Sequence, residues 1–310
     1  MRLFRRPPST VRLSPWRLLW LVLSLFLAVR LYGGGVPGRV FAVEELPSVA
    51  YQEPEEICAI DSKEIGESSG LAASRRWPNV FWTHNDSGDK PRLFAFDTRG
   101  KIVGTVNLNE AQNFDWEDMA SFTLDGEPLL LVGDIGDNAK KRPYCTLYLC
   151  SEPQSPGDGK LPAVRPIYYS YEGGPTDCEA LAVDPVRREI LFVEKRLALS
   201  SRVYLLPIPA KGDDDIQLAT KLGRISVPIV TAMDISPDGL RAVVMTLGNA
   251  YEFSRRPEET WAEAFARPRR TIVMPTRRQG EAICYGHDGK TLFLTSEKLP
   301  TPLFRVAPKP

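Results

Sequence analysis

Histidine and cysteine are scarce in this chain, at 2 and 5 residues out of 310. No Cys-x-x-Cys pair occurs, which argues against a zinc site of sulfur and imidazole. The cysteine count is odd, so at least one thiol stays unpaired or pairs between chains. Cys145 and Cys150 sit five apart on one expected strand, point to opposite faces and should not bond each other. Neither sign of charge is in excess: 39 Lys+Arg face 39 Asp+Glu, and no basic stripe follows residue 40. Nothing therefore points to nucleic acid. The phosphate-cradling P-loop and the Gly-x-Ser-x-Gly nucleophile elbow are both missing. Helical patterning is nearly absent as well, with one short helix expected at 258–265.

Long apolar runs are confined to the N-terminus. Arg2, Arg5, Arg6, Arg12 and Arg17 precede Leu18-Leu19-Trp20-Leu21-Val22-Leu23-Ser24-Leu25-Phe26-Leu27-Ala28-Val29. A basic start followed by about a dozen apolar residues suits a secretory signal, since a spanning helix needs roughly 20. Val40-Phe41-Ala42 offers a cleavage site, but it lies far from the apolar run, so an uncleaved membrane anchor is the alternative. Residues 1–42 are thus read as signal peptide or anchor with linker, and 43–310 as one exported domain, periplasmic, secreted or membrane-anchored. Membrane contact is expected only through this first segment.

What the rest of the chain has is repetition. Five segments share one frame: Glu67-Ser68-Ser69-Gly70-Leu71-Ala72, Asp115-Trp116-Glu117-Asp118-Met119-Ala120, Asp177-Cys178-Glu179-Ala180-Leu181-Ala182, Ile229-Val230-Thr231-Ala232-Met233-Asp234 and Gln279-Gly280-Glu281-Ala282-Ile283-Cys284. Their third residues, at 69, 117, 179, 231 and 281, stand 48, 62, 52 and 50 residues apart. Turn signals such as Asp125-Gly126, Asp238-Gly239 and Asp288-Gly289 follow, then two further β-rich runs. A fourth strand fits at 102–108, 167–172, 219–227 and 270–274, while the fifth unit lacks one. A period of about 40–50 residues built from strands is the mark of propeller blades. The fold class expected is all-β: a five-bladed β-propeller, or six-bladed if the long 117–179 unit hides a further element. The excess in that unit sits in the Pro/Gly-rich stretch 151–166 and reads as an insertion. A strand within 55–64 would complete the fifth blade and close the ring, covering an edge that otherwise invites aggregation.

In such a blade the start of the first strand and the loop after the second open on one side. The first set pairs Glu67 with Ser69, Asp115 with Glu117, Asp177 with Glu179, Ile229 with Thr231 and Gln279 with Glu281. The second set is His84-Asn85-Asp86-Ser87-Gly88-Asp89, Asp134-Ile135-Gly136-Asp137-Asn138, Glu194-Lys195-Arg196, Thr246-Leu247-Gly248-Asn249 and Ser296-Glu297-Lys298. Carboxylates crowded at one channel mouth need a cation, raised pKa values or the local bases Lys195, Arg196 and Lys298. Oxygen ligands without sulfur or imidazole favour Ca²⁺, with Mg²⁺ as the alternative. The bland reading is that Asp86, Asp89, Asp137 and Asn138 are turn formers bonded to their own backbone. It is weaker for Glu117, Glu179 and Glu281, because Glu forms turns poorly and is seldom buried without a partner. Asp184-Pro185, Asp238-Gly239 and Asp288-Gly289 are read as turns on the opposite face without function. Trp82 and Trp116 are read as core.

The strings Asn85-Asp86-Ser87-Gly88-Asp89, Asp115-Trp116-Glu117-Asp118-Met119-Ala120, Gly133-Asp134-Ile135-Gly136-Asp137-Asn138 and Gln279-Gly280-Glu281-Ala282-Ile283 resemble a family of exported bacterial β-propeller proteins without a settled activity. The resemblance covers roughly residues 60–306. More distantly, the acidic channel is similar to that of propeller phytases and calcium-dependent phosphotriesterases or lactonases. That wider likeness is architectural and implies calcium more than it implies hydrolysis.

Three functions compete. The first is a calcium-dependent hydrolase of phosphate or carboxylic esters, with Glu117, Glu179, Glu281, Asp134, Asp137 and Asn138 as metal ligands. Lys195 and Arg196 would hold an anionic group, and His84 or Asp86 would handle the proton. The second is a glycosidase using a carboxyl pair such as Glu117 with Glu179 or Glu281, which would also want exposed aromatics at the mouth. The third is a non-catalytic module binding a ligand or protein at the cell surface. The partner is accordingly a small molecule, a surface polymer or a protein ligand.

Overall fold

Five antiparallel meanders follow one another along the chain. The computed structural model describes residues 46–161 and 163–310. The expected signal or anchor segment lies outside the described residues; among those described, no helix is long and apolar enough to cross a membrane.

The first unit runs β2 (Ser68–Ala73), β3 (Val80–Asn85), β4 (Arg92–Asp97) and β5 (Ile102–Leu108). The second has β6 (Trp116–Leu124), β7 (Glu127–Asp134), β8 (Cys145–Ser151) and β10 (Val164–Tyr171). The third has β11 (Cys178–Asp184), β12 (Glu189–Glu194), β13 (Ser201–Pro207) and β14 (Gln217–Ile225). The fourth has β15 (Val230–Ile235), β16 (Arg241–Thr246), β17 (Ala250–Ser254) and β18 (Arg270–Ile272), and the fifth β19 (Ala282–Tyr285), β20 (Leu292–Thr295) and β21 (Pro302–Val306). Tight hairpins join them; between β6 and β7, Asp125 and Gly126 both take positive φ (52° and 82°), the backbone a two-residue primed turn requires.

The expected insertion at 151–166 contributes a short strand, β9 (Gly159–Leu161), which pairs parallel to the outer edge of the first unit at β5. A parallel ladder between β10 and β14 joins the second and third units into one eight-stranded sheet. The fifth unit takes its fourth strand from the start of the described chain. β1 (Glu55–Ala59) pairs antiparallel with β21, Glu55 opposite Arg305 and Ala59 opposite Pro302.

The first strands of the units neighbour one another in a cycle: β2 with β6, β6 with β11, β11 with β15, β15 with β19, and β19 with β2 again. They are short, rich in small residues and nearly fully buried. Five apolar cores lie between successive units, and the fifth joins Leu71, Phe81 and Phe96 of the first to Ala282, Cys284 and Leu303 of the last. Trp82 and Trp116 are fully buried, as expected of core residues. All five cysteines are free.

The short helix, α1 (Trp261–Phe265), is shorter than the expected 258–265. Thr260 and Glu263 close its first turn as a reciprocal capping box. Trp261 Nε1 donates to Asp184 Oδ2 at 2.8 Å, and Arg255 pairs with the same oxygen at 3.0 Å. Asp184, expected to be a plain turn residue, is thus fully buried and ties the helix segment to the third unit.

Candidate metal centre

The ladders of four first strands slip at the same place. Register shifts fall between Ser68 and Gly70, Trp116 and Asp118, Cys178 and Ala180, and Val230 and Ala232. The extra residues are Ser69, Glu117, Glu179 and Thr231. A bulge leaves its extra residue out of the ladder and re-aims its side chain, a device common beside functional sites. In the fifth unit Glu281 stands just ahead of β19. Glu117, Glu179 and Glu281 are each only 3–5% exposed.

The tightest acidic group joins Asp86, Asp115 and Glu117, which offer carboxylate oxygens all within 4.8 Å of one another. Two ionised carboxylates at that separation repel by about 3 kcal/mol at an effective dielectric near 20. Among the described residues no protein group donates a hydrogen bond to the carboxylate of Asp115 or Glu117, and no base pairs with either. Among the described residues the Asp86 carboxylate accepts only from the adjacent Ser87 amide, while its main-chain oxygen accepts from Asn113 Nδ2. Backbone closeness is what permits the cluster. The main-chain oxygen of Asp115 accepts from the amides of Ile135 and Gly136, drawing the loop after β7 over the site. A Cβ on Gly136 would meet Glu117 Oε1 and Asp115 Oδ2, so only glycine leaves both carboxylates room.

Burial drives the titration of this region. It pushes Asp115 up to about 6, with Asp86 adding and Arg142 opposing. Glu117 is raised by burial first and then by Glu179, Asp86 and Asp115. Glu281 is pushed up to about 7, again by burial, against the pull of Lys195 and Gln279. Lys195 Nζ lies 2.6 Å from Glu179 Oε2. Burial opposes the Lys195 charge, but Glu179, Glu281 and Glu117 outweigh it and hold the ammonium protonated. At Glu179 burial wins in turn over Lys195 and raises the carboxyl. Near neutral pH the carboxyls of this pocket therefore retain protons that exposed carboxyls would have lost.

Asp134 accepts from the amides of Phe114 and Asp115 and pairs with Arg142 Nη1 at 2.7 Å. Asp137 accepts from the amides of Lys141 and Arg142, so it shapes its own loop. Asn138 is exposed. These three, expected as ligands, do not join the close acidic group: Asp134 is taken by the amides of Phe114 and Asp115 and by Arg142, Asp137 by its own loop, and Asn138 faces outward. Asp177 accepts from the Asp137 amide. Asn85 bridges Glu64 O and Asp89, and Asp89 also pairs with Arg92. Glu194 is held by Arg202 at 2.8 Å, with the exposed Arg196 at 3.8 Å. Glu297 is buried beside exposed Lys298 at 3.4 Å, and Glu67 is exposed.

His84 is not at the mouth. Its strand alternation sends the ring inward over Gly70, where an added Cβ would lie 2.3 Å from Nε2. The ring is fully buried, edge-on to Trp116 at 5.4 Å, and Nε2 has no hydrogen-bond partner. Burial lowers its pKa to about 4. A neutral ring sealed in this way handles no proton at the surface.

Sequence reading missed Asp118. Its carboxylate is fully buried and accepts from the amides of Leu181 at 3.0 Å and Met233 at 3.1 Å, tying β6 to β11 and β15 beneath the mouth. Asp234 does the same for Tyr285 of β19 at 2.7 Å. For Asp118 the available signal was an acidic residue directly after the third residue of its repeat segment, on the opposite strand face. The chain matches no protein-family model, and no curated protein matches it.

Proposed function

We propose that the chain is an exported five-bladed β-propeller acting as a divalent-cation-dependent hydrolase of phosphate or carboxylic esters. The five cyclic cores and the pairing of β1 with β21 support the blade count. The cation, Ca²⁺ in preference to Mg²⁺, would sit between Asp86, Asp115 and Glu117. Asp86 comes from the loop after β3, and Asp115 and Glu117 from the bulged start of β6; such irregular backbone suits the flexible coordination of calcium better than the near-ideal octahedron magnesium demands. The single observation that carries this reading is the pair Asp115 and Glu117: close, buried or half-buried, and without a protein donor. Every other buried acid of the mouth discussed above has a donor or a base beside it, which is what a structural role requires.

Three protein oxygens leave coordination positions open for water and substrate. When bound, such a cation polarises an ester or phosphoryl oxygen and lowers the pKa of a water. Glu281, titrating near 7 and within electrostatic reach of Asp86, is suited to accept a proton at neutral pH. Lys195, kept cationic by Glu179, adds positive charge to a pocket that otherwise has little. Resemblance of the four strings to exported propellers agrees with this role.

The test is a panel of phosphomonoesters, phosphodiesters, aryl esters and aryl glycosides, run with calcium and with chelator. Calcium-dependent turnover of one class, abolished in Glu117→Gln, is expected. Absence of turnover across the panel would leave a non-catalytic binding module instead. Chelator-resistant cleavage of glycosidic bonds would select the glycosidase.

A further inference from the structure

Beside the acidic group lies a second feature that the proposed chemistry does not use. A cleft of ≈ 580 Å³ opens between the connection from β5 to β6 and the outer strands of the second unit. Its floor is one face of the β8–β10 ladder, where Pro166 stands opposite Tyr148 and Tyr168 opposite Thr146. Side chains two apart share a face, so these four project together. The connection is pinned over them by the Gln112 amide, which donates to Tyr148 Oη at 3.1 Å. Tyr144 meets the edge of Tyr168 at 5.7 Å.

Two aromatic rings of this cleft face water: Phe114 is 67% exposed and Tyr144 43%. Phe114 directly precedes Asp115, so the cleft adjoins the acidic group. The charges on the lining are one of each sign, Arg142 and Glu110. Arg142 is charge-compensated by Asp134, 2.7 Å from its Nη1, and the same nitrogen donates to Gly136 O at 2.9 Å, so the cleft carries no uncompensated positive charge. The side-chain amides of Asn109 and Gln112 make no hydrogen bond to the protein among the described residues. Flat apolar faces bordered by unengaged amides suit a ligand with apolar ring faces and hydroxyl edges. An anion would meet a guanidinium already paired with Asp134, and a purely apolar ligand would bury the amides unpaired.

We propose that this cleft binds a neutral polysaccharide, one sugar ring stacking on Phe114 or Tyr144 while its hydroxyls meet Asn109 and Gln112. In combination with the hydrolase reading, on which only this clause rests, the ester to be cleaved is a substituent carried on that glycan.

Native affinity electrophoresis tests it, with the chain run through gels containing hydroxyethyl cellulose, xyloglucan, galactomannan, laminarin or dextran. At least one glycan is expected to retard the protein. Tyr144→Ala and Phe114→Ala should each weaken that binding roughly tenfold, with unchanged melting temperatures. Glu117→Gln, which removes the proposed chemistry, should be retarded like the parent chain, so failure of the hydrolase and failure of the glycan site read separately. No retardation by any of the five glycans would overturn the proposal. So would retardation indifferent to both aromatic substitutions, or displacement of the glycan by a proline-rich decapeptide that binds more tightly.

Discussion

Gly136 and Glu117 are packed so closely that a Cβ on the glycine would stand 2.3 Å from Glu117 Oε1. The same methyl would lie 2.5 Å from Asp115 Oδ2. Gly136→Ala therefore pushes both carboxylates off the positions that make them neighbours. Calcium affinity, read by isothermal titration, is expected to fall at least tenfold, with little loss of stability because the groups displaced are the tips of flexible side chains. Parent-like calcium affinity in this variant would separate the glycine from the site.

Lys195→Met removes the base that stands 2.6 Å from Glu179. Glu179 then remains buried beside Glu117 with no compensating charge. Because Lys195 itself is partly exposed, the loss is expected to be modest, about 1–3 kcal/mol at pH 7.5. Acidification to pH 5.5, where Glu179 is protonated, should restore most of it. The double variant Lys195→Met with Glu179→Gln should lose less than the single one, measured by urea unfolding.

Asp118→Ala leaves the amides of Leu181 and Met233 buried and unpaired. Each such donor costs about 1–3 kcal/mol, so this substitution should rank among the most damaging single changes in the first strands. Asp118→Asn retains an oxygen for both amides and should cost visibly less. Equal losses would show that the tie between β6, β11 and β15 contributes little.

Stability should fall as pH rises from about 4.5 to 7.5 when metal is withheld. Burial raises Glu281 to about 7 and Asp234 to about 6 in the folded chain, whereas both ionise near pH 4 when unfolded. Over that window the folded state holds protons the unfolded state has released, so unfolding grows easier with each step upward. Two groups oppose this trend. Asp89, where burial is outweighed by Arg92 and Asn85, acts only below about pH 4. His84, which burial lowers to about 4, favours folding as pH rises from about 4 to 6.5 and offsets part of the carboxyl effect. The decline is expected to be on the order of 3 kcal/mol, followed by urea midpoints in EDTA. A midpoint that rises over this range contradicts the burial assigned to these carboxyls.

Repetition was the most legible property of the chain. The strand expected at 102–108 is β5 over the same residues, and the segment expected to complete the last unit is β1. Both follow from hydrophobic alternation and turn chemistry, which are local. The site was legible only as a region. Sequence alone places Glu117, Asp115, Asp134 and Asp137 at one mouth but does not say which carboxylate its own loop satisfies. Asp134 and Asp137 are occupied by nearby amides and Arg142, and Asp115 and Glu117 are not. The difference arises from the bulge at Glu117 and the bare backbone of Gly136, neither of which shows in a residue pattern. His84 went astray for a related reason: only the small size of Gly70 lets the ring turn inward.

The most direct measurement is thermal unfolding of the chain against rising calcium, beside Asp115→Asn and Glu117→Gln. A melting temperature that climbs with calcium in the parent and stays flat in both variants is the result predicted. A parent curve indifferent to calcium and magnesium alike would contradict a cation between Asp86, Asp115 and Glu117.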